Sequence, residues 1–228
     1  MTRMTLHFAL AAVAALPGCA AAASAGKAVM PPALAVRAAR ADYVPWLAGR
    51  TLHYQVTVTT PDDQASLELS RTFSHVSADG AEATLMANWL HLGNPMDQEV
   101  IRFRRGTAGL EAADRASGTW APFLRLPLQG PAPHKYAIPA QPLITPHFPA
   151  VPLRITQHPA RPETVQVPAG RYAAQRVDLI LEGEMAGEKF TQQATLWLAS
   201  GLGEVRYRQR WDDAAGPVSL ERVLTEVE

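Results

Sequence analysis

From Gly49 onward the apolar residues recur at every second position, a period that argues for strands with one buried face. In the run TLHYQVTVTT, Leu52, Tyr54, Val56 and Val58 share a face opposite Thr51, His53, Gln55 and Thr57. Pro61, Asp62 and Asp63 then supply a turn. The run SLELSRTFSHVS alternates again, with Leu67, Leu69, Arg71 and Phe73 on one side. It is joined to AEATLMANWLHL through the Asp79-Gly80 turn signal, which predicts a hairpin. QEVIRFRRG places Val100 with Arg102 and Arg104, and Ile101 with Phe103. TAGLEAADRASGTW reads as a short strand, a loop and another short strand.

Residues 121–162 break this pattern with prolines at 122, 127, 131, 133, 139, 142, 146, 149, 152, 159 and 162. Proline removes a backbone donor, so long regular structure is excluded there. The stretch still carries apolar residues such as Phe123, Leu126, Ile138 and Phe148, which argue against a freely solvated linker. It is expected to lie as an irregular cover across one face of the sheet. The last third returns to strands in ETVQV, RYAAQRVDLILEGE, EKFTQQATLWLAS, GEVRYRQRW and VSLERVLTEV. Gly170, Gly187, Gly201, Gly203 and Gly216 stand in the turns between them, as consecutive hairpins require. The expected fold is mostly β, a single curved antiparallel sheet or open barrel over residues 43–228.

The amino terminus carries a different message. Arg3 precedes an apolar run from Leu6 to Leu16, an export signal too short to remain as a membrane-spanning helix. The run ends in Leu16-Pro17-Gly18-Cys19, which looks like a bacterial lipobox, with lipid attachment at Cys19 and residues 1–18 as the signal. The alternative is a signal removed farther on, at Ala21 to Ala23 or at Ala23-Ser24-Ala25. Cys19 is the only cysteine, so no disulfide forms within the chain and noncovalent burial must stabilise the fold. Ala20 follows it where an aspartate would retain a lipoprotein in the inner membrane, which favours the outer membrane facing the periplasm. Several acyl chains on one cysteine would hold the protein there durably. Residues 19–42, rich in alanine with Pro31 and Pro32, bury too little area to fold and read as a tether.

Two segments, ETVQVPAGRYAAQRVDL and TLWLASGLGEVRYRQRW, carry a recurring pattern. It consists of Glu163, Thr164, Val167, Pro168, Ala169 and Gly170, then Trp197, Gly201, Leu202, Gly203, Val205 and Arg206. These residues resemble the C-terminal half of the TapB-like family of proteobacterial exported proteins of unknown function. The resemblance implies a strongly curved antiparallel sheet similar to the open barrel of the LolA/LolB lipoprotein carriers, and it supplies no catalytic residues.

Lysine plus arginine and aspartate plus glutamate each number 21, with no long run of one sign, which disfavours nucleic acid as a partner. His53, His75, His91, His134, His147 and His158 form no pair at ligand spacing, so no metal and no cofactor is expected. No Gly-x-Ser-x-Gly elbow surrounds Ser117, Ser200 or Ser219, and no catalytic residue is assigned. Arg206, Arg208 and Arg210 alternate along one strand and share a face, with Val205, Tyr207 and Trp211 on the other. Such a stripe could meet lipid phosphates or an acidic partner, or it could coat a wet face by pairing with acids on neighbouring strands. Pro168, Gly170, Gly201 and Gly203 read as structural turn residues. The opposite apolar face needs a cover, and this separates two expectations. One is a non-enzymatic envelope lipoprotein that binds a hydrophobic ligand on a concave sheet; the other is a packed module that meets an envelope protein.

Overall fold

The computed structural model describes residues 42–113, 118–138, 152–185, 187–213 and 215–228. The signal, Cys19 and the tether as far as residue 41 lie outside them. The described residues form thirteen antiparallel strands and no helix, as the period of two requires. They are β1 (Thr51–Thr59), β2 (Gln64–Val76), β3 (Glu82–His91), β4 (Asn94–Gly106), β5 (Gly109–Ala113), β6 (Trp120–Arg125) and β7 (His134–Ile138). There follow β8 (Leu153–Gln157), β9 (Arg161–Val167), β10 (Gly170–Met185), β11 (Glu188–Ala199), β12 (Gly203–Asp213) and β13 (Gly216–Val227).

All belong to one sheet, ordered β6-β5-β4-β3-β2-β1-β13-β12-β11-β10-β8-β7. Two meanders are therefore joined where the first strand pairs with the last, Val56 opposite Arg222 and Thr59 opposite Ser219. The two halves of the long β10 have different partners: Gly170 to Arg176 pair with β9, and Leu179 to Gly183 with β8. The sheet curls into a barrel whose end strands, β6 and β7, form no backbone ladder with each other.

Side chains bridge that seam. The Arg125 N–H donates to Gln157 Oε1 at 2.9 Å, and Gln157 Nε2 donates to the Arg125 carbonyl at 3.0 Å. One fully buried amide thus offers a donor and an acceptor to a single residue of β6, as a neighbouring strand would. The Tyr136 hydroxyl adds a bond to the Phe123 carbonyl at 3.2 Å.

Much of the proline-rich stretch is therefore wall rather than cover. Residues 121–162 contribute most of β6, all of β7 and β8, and the start of β9, and residues 139–151 fall outside the described residues. The strands are short, at 6, 5 and 5 residues for β6 to β8, in keeping with the exclusion of long regular structure. Pro122 and Pro162 sit in strands with a free edge, where a missing N–H need not break a central ladder.

Alternation sorts the side chains. Leu52, Tyr54 and Val56 of β1, Val177, Leu179 and Leu181 of β10, and Leu196 and Leu198 of β11 are buried. Trp197 is also buried, although by alternation it faces away from Leu196 and Leu198. Arg176 and Arg206, directly opposite it on the flanking strands, lay their guanidinium groups 5.5 and 5.1 Å from its ring centre. Two cationic stems shield an outward tryptophan from water.

Candidate functional site

Curling the sheet brings apolar side chains from most of its strands around one interior space of about 140 Å³. Phe103, Phe123, Leu124, Leu181 and Leu196 contribute to its lining, and Phe103 meets Phe123 edge to face at 5.4 Å between ring centres. The segment just ahead of β1 adds Val44, Pro45 and Trp46. It is held against the β11–β12 turn from both sides. The Gly201 N–H donates to the Asp42 carbonyl at 2.8 Å, and Arg50 donates to the carbonyls of Gly201 at 2.8 Å and Leu202 at 3.1 Å. Arg105 pairs with Asp42 at 3.1 Å and covers the Trp46 ring at 4.5 Å. The folded part thus already includes Asp42, the last residue of the expected tether.

One part of the lining is charged. Arg222 of β13 grips Glu204 of β12 through two bonds, Nε to Oε1 at 2.6 Å and Nη2 to Oε2 at 2.8 Å. Arg71 of β2 reaches the same carboxylate through Nη1 at 3.4 Å. The two guanidinium groups lie 5.6 and 5.8 Å from the Tyr54 ring centre, and Arg222 also lies 4.7 Å from that of Tyr207. The Tyr54 hydroxyl donates to the Glu204 carbonyl at 2.9 Å. Below this layer the Tyr207 hydroxyl donates to Gln209 Oε1 at 2.8 Å, and Gln209 Nε2 donates to Gln192 Oε1 at 2.6 Å. The buried polar groups are thus mostly tied to one another, as a low-dielectric interior demands.

Burial and charge compete in setting their protonation. Burial works against the Glu204 carboxylate, but Arg222 and Arg71 outweigh it and hold its pKa below the ordinary 4.5. Burial also opposes the Arg222 cation, and Glu204 reverses that, leaving its pKa raised. Arg71 is lowered, first by burial and then by its neighbour Arg222, with Glu204 acting in the other direction. Burial pushes the phenols of Tyr54 and Tyr207 up, so both remain neutral donors.

Glu204 faces inward because of a local irregularity. Leu198 pairs with Glu204 while Trp197 pairs with Arg206, which leaves Val205 as the extra residue of a β-bulge. Strict alternation from Arg206 would put Glu204 on the outer face. Arg71 shares its parity with Leu69 and Phe73, and Arg222 falls in the apolar register of Val218, Leu220 and Leu224. An arginine at an apolar position is the signal that marks both residues; sequence reasoning placed Arg71 on that face without assigning it a role, and did not single out Arg222 or Glu204.

The arginine stripe lies on the other side of β12. Arg206 and Arg208 both donate to Glu221 on β13, Arg206 through Nε at 2.8 Å and also through Nη2, and Arg208 through Nη2 at 2.9 Å. Burial alone would raise the Glu221 pKa, but these bonds lower it. Arg210 is exposed on the same face. The stripe is thus engaged with a neighbouring acid over two of its three members. Arg102 pairs with Glu82 at 3.8 Å and Arg104 with Glu111, and both cover Trp120. Among the described residues no group of three His, Cys, Asp or Glu is placed to hold a metal ion.

The turn residues serve corners. Pro168 and Ala169 form a two-residue reversal between Val167 and Gly170, and Gly170 enters β10 at a φ of 146°. The Tyr172 hydroxyl donates to the Ala169 carbonyl at 3.1 Å, while the Ala169 N–H donates to the Leu224 carbonyl at 3.1 Å, tying the corner to β13. Gly201 and Gly203 take positive φ, 74° and 98°, around Leu202.

No protein-family model and no curated protein matches the chain. Solved structures resemble it. A protein from Bacteroides fragilis described as exported, with a YmcC-like fold, gives a TM-score of 0.49 at 12% identity, covering 81% of this chain and 97% of its own. A protein from Parabacteroides distasonis described as a lipoprotein gives 0.48 at 11% identity, covering 82% and 98%. The hypothetical lipoprotein YmcC from Escherichia coli gives 0.37 at 13% identity, covering 76% and 84%.

Proposed function

We propose that this protein is a non-enzymatic envelope lipoprotein, anchored through Cys19 in the outer membrane and facing the periplasm, whose barrel interior holds a hydrophobic ligand. The observation that carries the reading is the largely apolar space of about 140 Å³ inside the curled sheet. The apolar walls around such a space lack contacts on their inner side, and an apolar guest supplies them. The interior polar groups are arginine, glutamate, tyrosine and glutamine bound to one another, an arrangement that holds charge and offers no activated nucleophile. The proposal extends to the TapB-like family and a LolA/LolB-like architecture, since the quoted motif residues gather at the β9–β10 corner and at the β11–β12 turn and bulge.

Native mass spectrometry of the unlipidated domain recovered from cells tests ligand binding. A bound hydrophobic mass is expected; a ligand-free mass together with no uptake of an apolar fluorescent probe contradicts the reading. Labelled palmitate incorporation, with Cys19→Ala as control, tests the anchor. Label in the parent and none in the variant is expected, whereas equal labelling or none in either refutes it.

A second reading, a protein-interaction module, is favoured by the tip of the β3–β4 hairpin. Leu92 is 75% exposed there at a φ of 51°, and Met96 is 57% exposed beside it. Under that reading Leu92→Ser with Met96→Ser releases a co-purifying envelope protein and leaves probe uptake unchanged.

A further inference from the structure

Arg71 is the least satisfied charge in the barrel interior. Arg222 and Glu204 complete each other through two short bonds, so the carboxylate has little left to offer a second cation. Among the described residues the only hydrogen bond from the Arg71 side chain is the 3.4 Å contact to Glu204, and its Nε is buried without a partner. Its side chain is 20% exposed and lies in the lining of the cavity. Glu99 stands in the same row of the sheet beyond Ala87, opposite Arg71 across β2, β3 and β4, and acts on it through space without closing that Nε. Two guanidinium groups over one tyrosine therefore share Glu204 as their hydrogen-bonded carboxylate.

Such an arrangement costs free energy when empty, because a buried guanidinium donor without an acceptor forfeits the hydrogen bonds it had in water. A second carboxylate would restore them, its two oxygens matching the fork of a guanidinium. Around it, the cavity walls are Phe73, Leu85, Ile101 and Phe103, which accept only apolar matter. The space is about 140 Å³, room for part of a single aliphatic chain.

We propose that the cavity binds single-chain aliphatic carboxylates, with the carboxylate on Arg71 beside the Arg222–Glu204 pair and the chain among the apolar walls. This assignment rests on the hydrophobic-ligand reading above and narrows it to a class. Glu204 sets the position of Arg71 while Arg222 keeps Glu204 from closing over it.

The test is displacement of an apolar fluorescent probe from the full chain carrying Cys19→Ser, comparing dodecanoate with dodecan-1-ol at neutral pH. Dodecanoate is expected to displace the probe at about tenfold lower concentration or better, the scale of one charge-assisted hydrogen bond. Arg71→Met should bring dodecanoate to the level of the alcohol and leave the alcohol unchanged, while Arg71→Lys keeps part of the preference. Equal displacement by acid and alcohol in the Arg71 protein would overturn the carboxylate site and leave the hydrophobic-ligand reading standing. No probe uptake, with no binding of either compound, would overturn both. Should Arg71→Met fail to fold, the comparison of the two ligands on the Arg71 protein decides by itself.

Discussion

Glu204 is the residue on which the interior charge depends. It keeps two guanidinium groups in place, and its own ionisation is secured by them. Glu204→Gln leaves Arg222 largely buried without a counter-charge, and the expected loss is about 3 kcal/mol, the lower end for a broken buried pair because some solvent reaches the site. Chemical denaturation at neutral pH measures it. The same group gives the barrel an acid limit. Its folded pKa lies below the ordinary 4.5, so the unfolded chain takes up the proton first, and the stabilisation is complete only above about that pH. Stability should therefore fall as pH drops below 4.5 and through the folded pKa, and Glu204→Gln should flatten this slope. The arginines that flank Glu204 need not stabilise the fold at all. Replacing Arg71, Glu204 and Arg222 together by Met, Leu and Met is expected to leave the melting temperature nearly unchanged, because apolar groups of similar volume match a buried ionic cluster in stability. Preference for an acidic ligand should vanish in the same protein.

At the scale of elements, the seam between β6 and β7 is where the barrel is weakest, and Gln157 is its clasp. Gln157→Leu strands the N–H and carbonyl of Arg125, at a cost on the order of 3 kcal/mol for two buried groups left without partners. Hydrogen exchange should then quicken at Arg125 before it does in β10 or β11. The β9–β10 corner has a simpler role. Gly170→Val forces a branched residue into a φ of 146°, and the expected result is a loss of about 1–3 kcal/mol with ligand affinity intact. Loss of binding at unchanged melting would show instead that the corner serves a site. The strands and most turns were legible in the sequence because alternation and glycine placement are local signals. The buried row Leu52, Tyr54 and Val56 and the outer row Arg206, Arg208 and Arg210 follow from parity alone. The acid of the interior site was not legible, since a single extra residue at Val205 reverses the parity of Glu204, and no local signal marks it. Nor did proline density reveal that β6 and β7 line a seam, because an edge tolerates what a central strand does not.

On the scale of the whole molecule, one sheet turned on itself does what two packed layers do elsewhere: it buries a single apolar face, here against itself. Among the described residues twelve strands follow one another around the wall, a circumference too wide for side chains to fill the middle completely, and the remaining space is the basis of the functional reading. Ala194 of β11, buried on the cavity wall opposite Leu179 and Gln209, is the place to fill it. Titration of an apolar fluorescent probe into the full chain and into its Ala194→Phe variant tests this directly. Saturable uptake of one probe per chain, lost in a variant that still melts cooperatively, is the expected result. Absence of uptake by the parent chain, or equal uptake by the filled variant, would contradict a ligand-holding interior.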